Sequence, residues 1–199
     1  GRAVNVVLHG VYLEFLRLPR MSSTPVNFPV KNKAEDLQVA VDKLLVKKAV
    51  EKVRNPKTLG FYSRLFLVPK SSGDLRPVID LSTLNRHLVV PHFQMETQLS
   101  VRSAIRQGEW SVSIDLRDAY LHVPMARVSR KYLRFVVNGQ VYQWRCLPFG
   151  LSTSPREFTK ILRPVVQLLR SLGIKLQVFL DDWLVRAVSP IQADLHARV

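Results

Sequence analysis

Apolar residues recur at helical spacing in residues 35–53, EDLQVAVDKLLVKKAVEKV. Lysines occupy the opposite face, so the pattern predicts an amphipathic helix over the whole segment. Such a basic face is as typical of a solvated helix surface as of a surface that binds nucleic acid. Residues 1–33 instead mix short apolar runs with Pro19, Pro25 and Pro29, which predicts an extended lead-in.

A second helix is predicted from residue 154 to residue 172. Ser154 is the expected N-cap, Pro155 the first helical residue and Glu157 the residue that completes a capping box. Gly173 is expected to end the helix, and Pro164 to kink or split it. The predicted buried stripe consists of Phe158, Ile161, Leu162, Val165, Leu168, Leu169 and Leu172.

Three segments have the pattern of β-hairpins. In LFLVPKSSGDLRPVIDL, two apolar runs are joined by the turn residues SSGD. In YLRFVVNGQVYQW, the pair Asn138-Gly139 lies between alternating apolar residues, which is the strongest short hairpin signal in the chain. In IKLQVFLDDWLVRAV, β-rich runs flank Asp181 and Asp182, which predicts a hairpin that bends at these two residues.

The stretch EWSVSIDLRDAYLHVP predicts a further strand with two different faces. The apolar face consists of Trp110, Val112, Ile114 and Leu116, and the polar face consists of Ser111, Ser113 and Asp115. Asp115 is therefore expected to face solvent or a ligand-binding cleft. The tryptophans at positions 110, 144 and 183 lie in apolar strand patterns and are expected in the core rather than stacked on bases.

Asp181 and Asp182 are adjacent carboxylates within an apolar run. On a tight turn between buried strands they repel each other and lose hydration, so they require compensating positive charge. Hard oxygen ligands suit Mg²⁺ or Mn²⁺, and two such ions are a usual device for in-line attack at phosphorus. Asp115 is the candidate third carboxylate. A plain polar turn is the alternative interpretation of the pair taken alone.

Composition adds a partner to this picture. The 199 residues contain 30 Lys and Arg against 15 Asp and Glu, a net charge of +15, which indicates nucleic acid as the leading partner. A surface for anionic lipid is the weaker alternative, since no apolar stretch of membrane-spanning length occurs. Cys146 is the single cysteine, which favours a reducing intracellular compartment, nuclear or cytoplasmic. The five histidines lack metal-ligand spacing.

Four ordered motifs resemble those of reverse transcriptases: LFLVPKSSGDLRPVIDLSTLN, SIDLRDAYLHVPM, LPFGLSTSPREFTK and VFLDDWLV. The similarity runs from about residue 28 to residue 186 and is greatest to retrotransposon enzymes, in particular the DIRS-type tyrosine-recombinase retroelements. It implies an α+β right-hand polymerase fold of fingers and palm, in which an antiparallel palm sheet is backed by helices and the thumb is absent.

The resemblance also implies a domain organisation. Residues 1–28 are expected to form the N-terminal lead-in, residues 29–95 and 123–148 the fingers, and residues 96–122 and 149–199 a truncated palm. The primer-gripping hairpin, thumb and ribonuclease H domain of the family are expected downstream in the parent protein.

Site residues follow from the same resemblance. Asp115 is expected to bind two Mg²⁺ ions, with Mn²⁺ as a substitute, Asp181 to complete the site and Asp182 to contribute less directly. The implied nucleotide-binding residues are Lys70 and Arg76 on the triphosphate, the amides of Asp118 and Ala119, Tyr120 beneath the sugar, and Phe149 and Gly150 on the pocket floor. For Lys70 and Arg76 taken singly, a solvated hairpin charge is the alternative, and for Tyr120 it is ordinary core packing.

The sequence thus indicates an RNA-directed DNA polymerase, a nucleotidyltransferase that takes deoxynucleoside triphosphates and an RNA or DNA template with its primer. Two alternatives stay open. One is a noncatalytic nucleic-acid-binding remnant or recruited fragment of such an element. The other is an RNA-templated RNA polymerase, which the bulky ring of Tyr120 disfavours.

Overall fold

The structure, a computed structural model, describes residues 2–69 and 73–199, with the side chains of Arg2 and Gln98 left aside. The helices are α1 Arg2–His9, α2 Ala34–Val46, α3 Ser82–Asn85, α4 Gln98–Ala104, α5 Arg127–Arg130, α6 Ser154–Ser171 and α7 Pro190–Ala197. The strands are β1 Val50–Lys52, β2 Leu65–Pro69, β3 Leu75–Ile79, β4 Trp110–Asp115, β5 Arg134–Val137, β6 Gln140–Trp144, β7 Lys175–Phe179 and β8 Asp182–Ala187.

The chain divides into two compact units. Residues 91–119 and 155–199, with the first residues of the chain, form one unit, which we call the aspartate unit because it contains Asp115, Asp181 and Asp182. Residues 4–90 and 120–154 form the other, which we call the hairpin unit.

The hairpin unit contains two antiparallel sheets, β1-β6-β5 and β2-β3. β2 and β3 are the predicted hairpin around SSGD, of which residues 70–72 lie outside the described residues. β5 and β6 are joined by Asn138 and Gly139 with φ of 50° and 75°. Asn138 and Gly139 therefore adopt the left-handed conformation that a type I′ turn requires. The pairing of β2 with β3 and of β5 with β6 confirms these two predicted hairpins.

The aspartate unit contains one antiparallel sheet in the order β4-β8-β7. Its core consists of Val166, Ile174, Leu176, Trp183 and Val185, against which Ile114, Leu116, Leu162, Leu169 and Val178 pack. Residues of α6 and of all three strands therefore share one apolar layer, so the sheet is backed by a helix. The predicted antiparallel sheet backed by helices is confirmed in this unit.

Two predicted segments differ from the structure. The lead-in is not extended throughout, because Arg2–His9 forms α1, which buries Val6 and ends at Gly10, where φ is 82°. The helix predicted over residues 35–53 stops at Val46. Lys48 then adopts φ of 56°, and the chain continues as β1, where Val50 pairs with Trp144.

The second predicted helix is continuous from Ser154 to Ser171, so Pro164 does not split it. Ser154 is its first residue rather than a cap outside it, and Gly173 follows its end with φ of 83°. Part of its predicted buried stripe is wrong, because Val165, Leu168 and Leu172 are exposed while Val166 is buried.

Of the three tryptophans, Trp144 and Trp183 are buried as predicted. Trp110 is 55% exposed, so the prediction that it belongs to the core is wrong. It is the first residue of β4, and the later residues on the same face of the strand, Val112 and Ile114, are half-buried. Among the described residues, no helix is both long and apolar enough to span a membrane.

Candidate active site

The aspartates from two distant parts of the sequence meet on the sheet of the aspartate unit. Asp115 ends β4, Asp182 begins β8, and the two residues are direct partners in the antiparallel register. Side chains at such positions have Cβ atoms roughly 4.5–5.5 Å apart. The next amide, Leu116 N–H, donates a hydrogen bond to the carbonyl oxygen of Asp181 at 2.9 Å. The backbone therefore holds the three aspartates at neighbouring positions.

The hairpin of β7 and β8 bends one residue earlier than predicted. Its turn consists of Leu180 and Asp181, and Asp182 already pairs with both Asp115 and Phe179. Leu180 adopts φ of 57°, which is uncommon for a branched residue. Such outliers cluster at functional sites, where the surrounding structure holds them in place.

The side chains of the three aspartates are at least partly accessible to solvent. Asp115 and Asp182 are exposed and Asp181 is half-buried. Among residues 2–69 and 73–199, their side chains form no hydrogen bond or ion pair. Like charges directly opposite each other destabilise a sheet, so this arrangement favours a bound cation.

Carboxylate oxygens are the ligands that Mg²⁺ and Mn²⁺ prefer, and in this respect the three aspartates fit the expected ions. Within the part of the chain that the structure describes, however, no group of three or more His, Cys, Asp or Glu side chains is arranged to hold a metal ion. The backbone thus holds the three aspartates at neighbouring positions, whereas their side chains are not arranged as a complete set of metal ligands.

Three residues of the predicted nucleotide pocket contact one another in the hairpin unit. The rings of Tyr120 and Phe149 lie 5.2 Å apart and are tilted by 44°. The guanidinium carbon of Arg76 lies 5.7 Å from the centre of the Phe149 ring, within cation–π range. Tyr120 is buried, as in core packing, and Lys70 lies outside the described residues.

Gly150, the neighbour of Phe149, requires the absence of a side chain. Its φ is 95°, and a Cβ atom there would lie 3.0 Å from the carbonyl oxygen of Ile79. The side chain of Asn85 donates to the Gly150 carbonyl at 2.8 Å and accepts from the Ser152 amide at 3.0 Å. Asn85 is the last residue of the motif LSTLN, but its role in holding this loop was not predicted.

Asp118 and Ala119, whose amides are expected near the triphosphate, follow β4 in the aspartate unit. Asp118 adopts φ of 56°, and Ala119 is buried at the start of a 3₁₀ helix, Ala119–His122. A left-handed residue in a turn is a common way to aim successive amides at an anion. The direction of these two amides toward a ligand stays a prediction.

An ion-pair network lies at the opposite end of the strands from the aspartates. Lys175 donates to Glu109 at 2.8 Å, and the Arg186 guanidinium pairs with the same carboxylate. These contacts, together with the Arg106 amide, lower the pKa of Glu109 to about 2 against the opposing effect of burial. The network therefore joins the residue before β4 to both β7 and β8.

Positive charge is concentrated in the hairpin unit. This unit contains 19 of the 30 Lys and Arg residues and 7 of the 15 Asp and Glu residues, a net of +12, which leaves +3 for the aspartate unit. A charge of this sign and size attracts a polyanion.

An antiparallel sheet with aspartates at one strand end, together with a strongly basic unit, is typical of a nucleic-acid polymerase. A family model described as reverse transcriptase (RNA-dependent DNA polymerase) matches residues 68–199. The chain therefore belongs to the reverse transcriptase family, and the predicted family is confirmed.

Individual relatives agree with this assignment. The Gag-Pol polyprotein of Rous sarcoma virus (subgroup B, strain Schmidt-Ruppin) is 31% identical over 134 residues, which cover 63% of this chain and 8% of that protein. The retrovirus-related Pol polyprotein from transposon 412 of Drosophila melanogaster is 26% identical over 137 residues, which cover 66% of this chain and 11% of the relative.

Among solved structures, the prototype foamy virus protease-reverse transcriptase matches with a TM-score of 0.73 at 23% identity, over 94% of this chain and 24% of that chain. This match confirms the predicted fold class. This chain spans a quarter or less of each of these relatives.

Proposed function

We propose that this chain supplies the fingers and palm of an RNA-directed DNA polymerase, which adds deoxynucleotides to a primer 3′-hydroxyl on an RNA or DNA template. The observation that carries the proposal is the direct pairing of Asp115 with Asp182, next to Asp181, in a chain of the reverse transcriptase family. In the proposed assignment, residues 29–95 and 123–148 form the fingers and residues 96–122 and 149–199 form the palm, which contains Asp115, Asp181 and Asp182.

Asp115, Asp181 and Asp182 would hold two divalent cations, Mg²⁺ or Mn²⁺. When bound, such ions favour attack of a hydroxyl on the α-phosphate and neutralise the departing pyrophosphate. The aspartates themselves would supply the negative charge that holds the ions, and Asp115 would contribute to holding both. Asp181 would complete the site, and Asp182 would contribute less directly because the side chains of neighbouring residues in a strand diverge.

The predicted nucleotide-binding residues would each have a separate role toward the incoming nucleotide. Arg76, together with Lys70, would bind the triphosphate, which the amides of Asp118 and Ala119 also meet. Tyr120 would lie beneath the sugar and exclude a 2′-hydroxyl. Phe149 and Gly150 would form the pocket floor, and the contacts of Arg76 with Phe149 and of Phe149 with Tyr120 support this grouping.

The parent protein would be an intracellular retroelement polyprotein, most similar to the DIRS type. A thumb and a ribonuclease H domain in the parent protein belong to the same proposal. Lys and Arg of the hairpin unit would hold the template and primer mainly through phosphates, with little sequence preference.

A primer-extension assay on the parent protein tests this proposal. We expect Mg²⁺-dependent incorporation of deoxynucleotides that Asp181→Asn reduces by at least about 10²-fold, since the charge it removes is required at the reacting phosphate. Asp194→Asn is the matched control, because Asp194 is an exposed carboxylate of the same unit, in α7. Extension that is unchanged in Asp181→Asn would refute the proposed mechanism.

A noncatalytic nucleic-acid-binding module is the second candidate. The lack of a closed metal-binding group among the described residues favours it. In the same assay this candidate predicts that the parent protein binds primer and template but does not extend the primer at any Mg²⁺ or Mn²⁺ concentration. Equal incorporation of ribonucleotides and deoxynucleotides would instead indicate an RNA-templated RNA polymerase.

A further inference from the structure

The outer edge of β7 is bound by side chains instead of by another strand. β7 is the last strand in the order β4-β8-β7, so its outward N–H and C=O groups have no strand partner among the described residues. The carboxylate of Glu96 accepts a hydrogen bond from the Val178 amide at 3.0 Å. Arg170 donates to the carbonyl oxygen of Leu176 from Nε at 3.1 Å and from Nη2 at 2.7 Å.

Glu96 and Arg170 also form an ion pair with each other. Leu176 and Val178 are two residues apart, so their outward groups lie on the same edge of the strand. Together the carboxylate and the guanidinium therefore take the place of one segment of a neighbouring strand. Hydrogen bonds to ionised groups are stronger than those between neutral groups.

Both side chains come from defined helical positions. Arg170 lies in the last turn of α6. Glu96 immediately precedes Thr97, the N-cap of α4, whose side chain and that of Ser100 form a reciprocal capping box. Because the start of α4 is fixed in this way, the backbone of Glu96 has a defined position from which its carboxylate reaches β7.

The segment of β7 that Glu96 contacts leads directly to the aspartates. Val178 pairs with Trp183, Phe179 pairs with Asp182, and the turn at Leu180 and Asp181 follows. A cavity of about 700 Å³ adjoins this end of the strand. It is lined by Phe93, Met95, Glu96, Thr97, Leu99, Arg102 and Phe179.

Phe179, at the end of β7, borders this cavity and is half-buried. The outer edge of β7 depends on polar contacts, of which the Glu96 carboxylate supplies the one nearest the turn.

We propose that Glu96 and Arg170 are positioning residues that hold the end of β7 and thereby fix the carboxylate of Asp181 relative to Asp115. This inference rests on the proposed function and adds two residues to that site. Neither residue contacts a reacting group. Both act through the backbone of Leu176 and Val178.

Two variants of Glu96 separate the contribution of its hydrogen bond with Val178 from that of its ion pair with Arg170. Glu96→Gln keeps an oxygen acceptor for the Val178 amide but loses the ion pair with Arg170, whereas Glu96→Ala loses both. Asp194→Ala is the matched control, since it breaks an exposed ion pair with Arg198 in the same unit. Circular dichroism verifies that each variant is folded, and Glu96→Gln tests the inference even if Glu96→Ala does not fold.

The first measurement is amide hydrogen exchange by NMR on the isotope-labelled chain. In Glu96→Ala we expect exchange at Val178 to accelerate by roughly 10- to 100-fold, the scale of one hydrogen bond to a charged group. The amide of Val185, at the centre of β8, should be unaffected. Glu96→Gln should give a smaller acceleration. Unchanged exchange at Val178 in Glu96→Ala would overturn the inference.

The second measurement is Mn²⁺ binding followed by electron paramagnetic resonance, which a merely structural role of Glu96 would not alter in folded protein. We expect Glu96→Ala to weaken binding at the aspartates by roughly 10-fold, the lower end of the effect of residues that support metal ligands indirectly. Glu96→Gln should restore part of the affinity, and Asp194→Ala should leave it unchanged.

The two proposals fail in different ways. Wild-type chain that binds no Mn²⁺ would contradict the proposed function. Equal Mn²⁺ affinity in the wild type, Glu96→Gln and Glu96→Ala would overturn the positioning role alone, with the metal site intact.

Discussion

Asp115 lies directly opposite Asp182 in the register of β4 and β8, so two carboxylates of a strongly basic chain share one position of the sheet. The Leu116 amide binds the carbonyl of Asp181 beside them. A sheet gains nothing in stability from such a pair, because like charges opposite each other repel. The arrangement is instead what a cation-binding site requires, and it has a measurable consequence.

Asp182→Asn should stabilise the folded chain when divalent cations are absent. Removal of one of the two facing charges is expected to raise the free energy of unfolding by roughly 0.2–1 kcal/mol in the presence of EDTA. Urea denaturation followed by circular dichroism measures this change. With saturating Mg²⁺ the wild type should instead have the larger free energy of unfolding, because it alone keeps all three carboxylates for the ion. Destabilisation by Asp182→Asn in EDTA would contradict this explanation.

Gly150→Ala should destabilise the loop that follows Phe149. The added Cβ meets the Ile79 carbonyl oxygen at 3.0 Å in a residue with φ of 95°, and we expect a loss of about 1–3 kcal/mol. Gly139→Ala is the control, because Gly139 also has a positive φ, 75°, but nothing within 4 Å of its Cβ position. Denaturant unfolding compares the two variants. An equal loss at both positions would show that the contact with Ile79 is unimportant.

Acid should remove the stability that Glu109 contributes. The hydrogen bond from Lys175, together with the pairing to Arg186, lowers the pKa of Glu109 to about 2 from an ordinary value of 4.5. The contribution is therefore complete above pH 4.5 and is lost as the pH falls toward 2. Glu109→Gln should be less stable than the wild type at pH 6, and this difference should shrink between pH 4.5 and 2. A difference independent of pH would contradict the assignment.

Cys146 should be unreactive in the folded chain. Burial raises the pKa of its thiol to about 12, and its sulfur lies 3.4 Å from the carbonyl oxygen of Ala49. Since the thiolate is the reactive species, labelling by a thiol reagent at pH 8 should be slow until denaturant unfolds the protein. Rapid stoichiometric labelling without denaturant would show that this part of the hairpin unit opens readily.

The elements that the sequence predicts best are those with local signals. The turn at Asn138 and Gly139 needs only two left-handed residues, and Gly173 ends α6 through its own φ. The alternation around Asp115 likewise depends on strand geometry alone. These features follow from short-range conformational preferences, which are visible in a few consecutive residues.

The mispredicted features depend on distant partners. Helical periodicity continues past Val46, but Val50 pairs with Trp144, nearly a hundred residues away, and this pairing converts the segment into β1. The exposed Leu168 and Leu172 fit a helical stripe but face away from the apolar layer of the aspartate unit. Periodicity reports that an apolar face exists and not how much of it is covered.

Dependence on distant partners also explains why the sequence does not predict the roles of Asn85 and Glu96. Asn85 acts on the loop at Gly150 and Ser152, and Glu96 acts on Val178, so both contacts cross more than sixty residues of sequence. A single polar side chain that binds a distant backbone group leaves no periodic pattern. The adjacent aspartates were found because their proximity in sequence already makes them unusual.

The most direct test of the central claim is a titration of the chain with Mn²⁺, monitored by electron paramagnetic resonance, for the wild type, Asp115→Asn and Asp194→Asn. If Asp115 joins Asp181 and Asp182 in one cation site, Asp115→Asn should weaken binding by at least about 10-fold, and Asp194→Asn should bind like the wild type. Equal Mn²⁺ affinity in all three proteins would contradict the claim that these aspartates form a metal-binding active site.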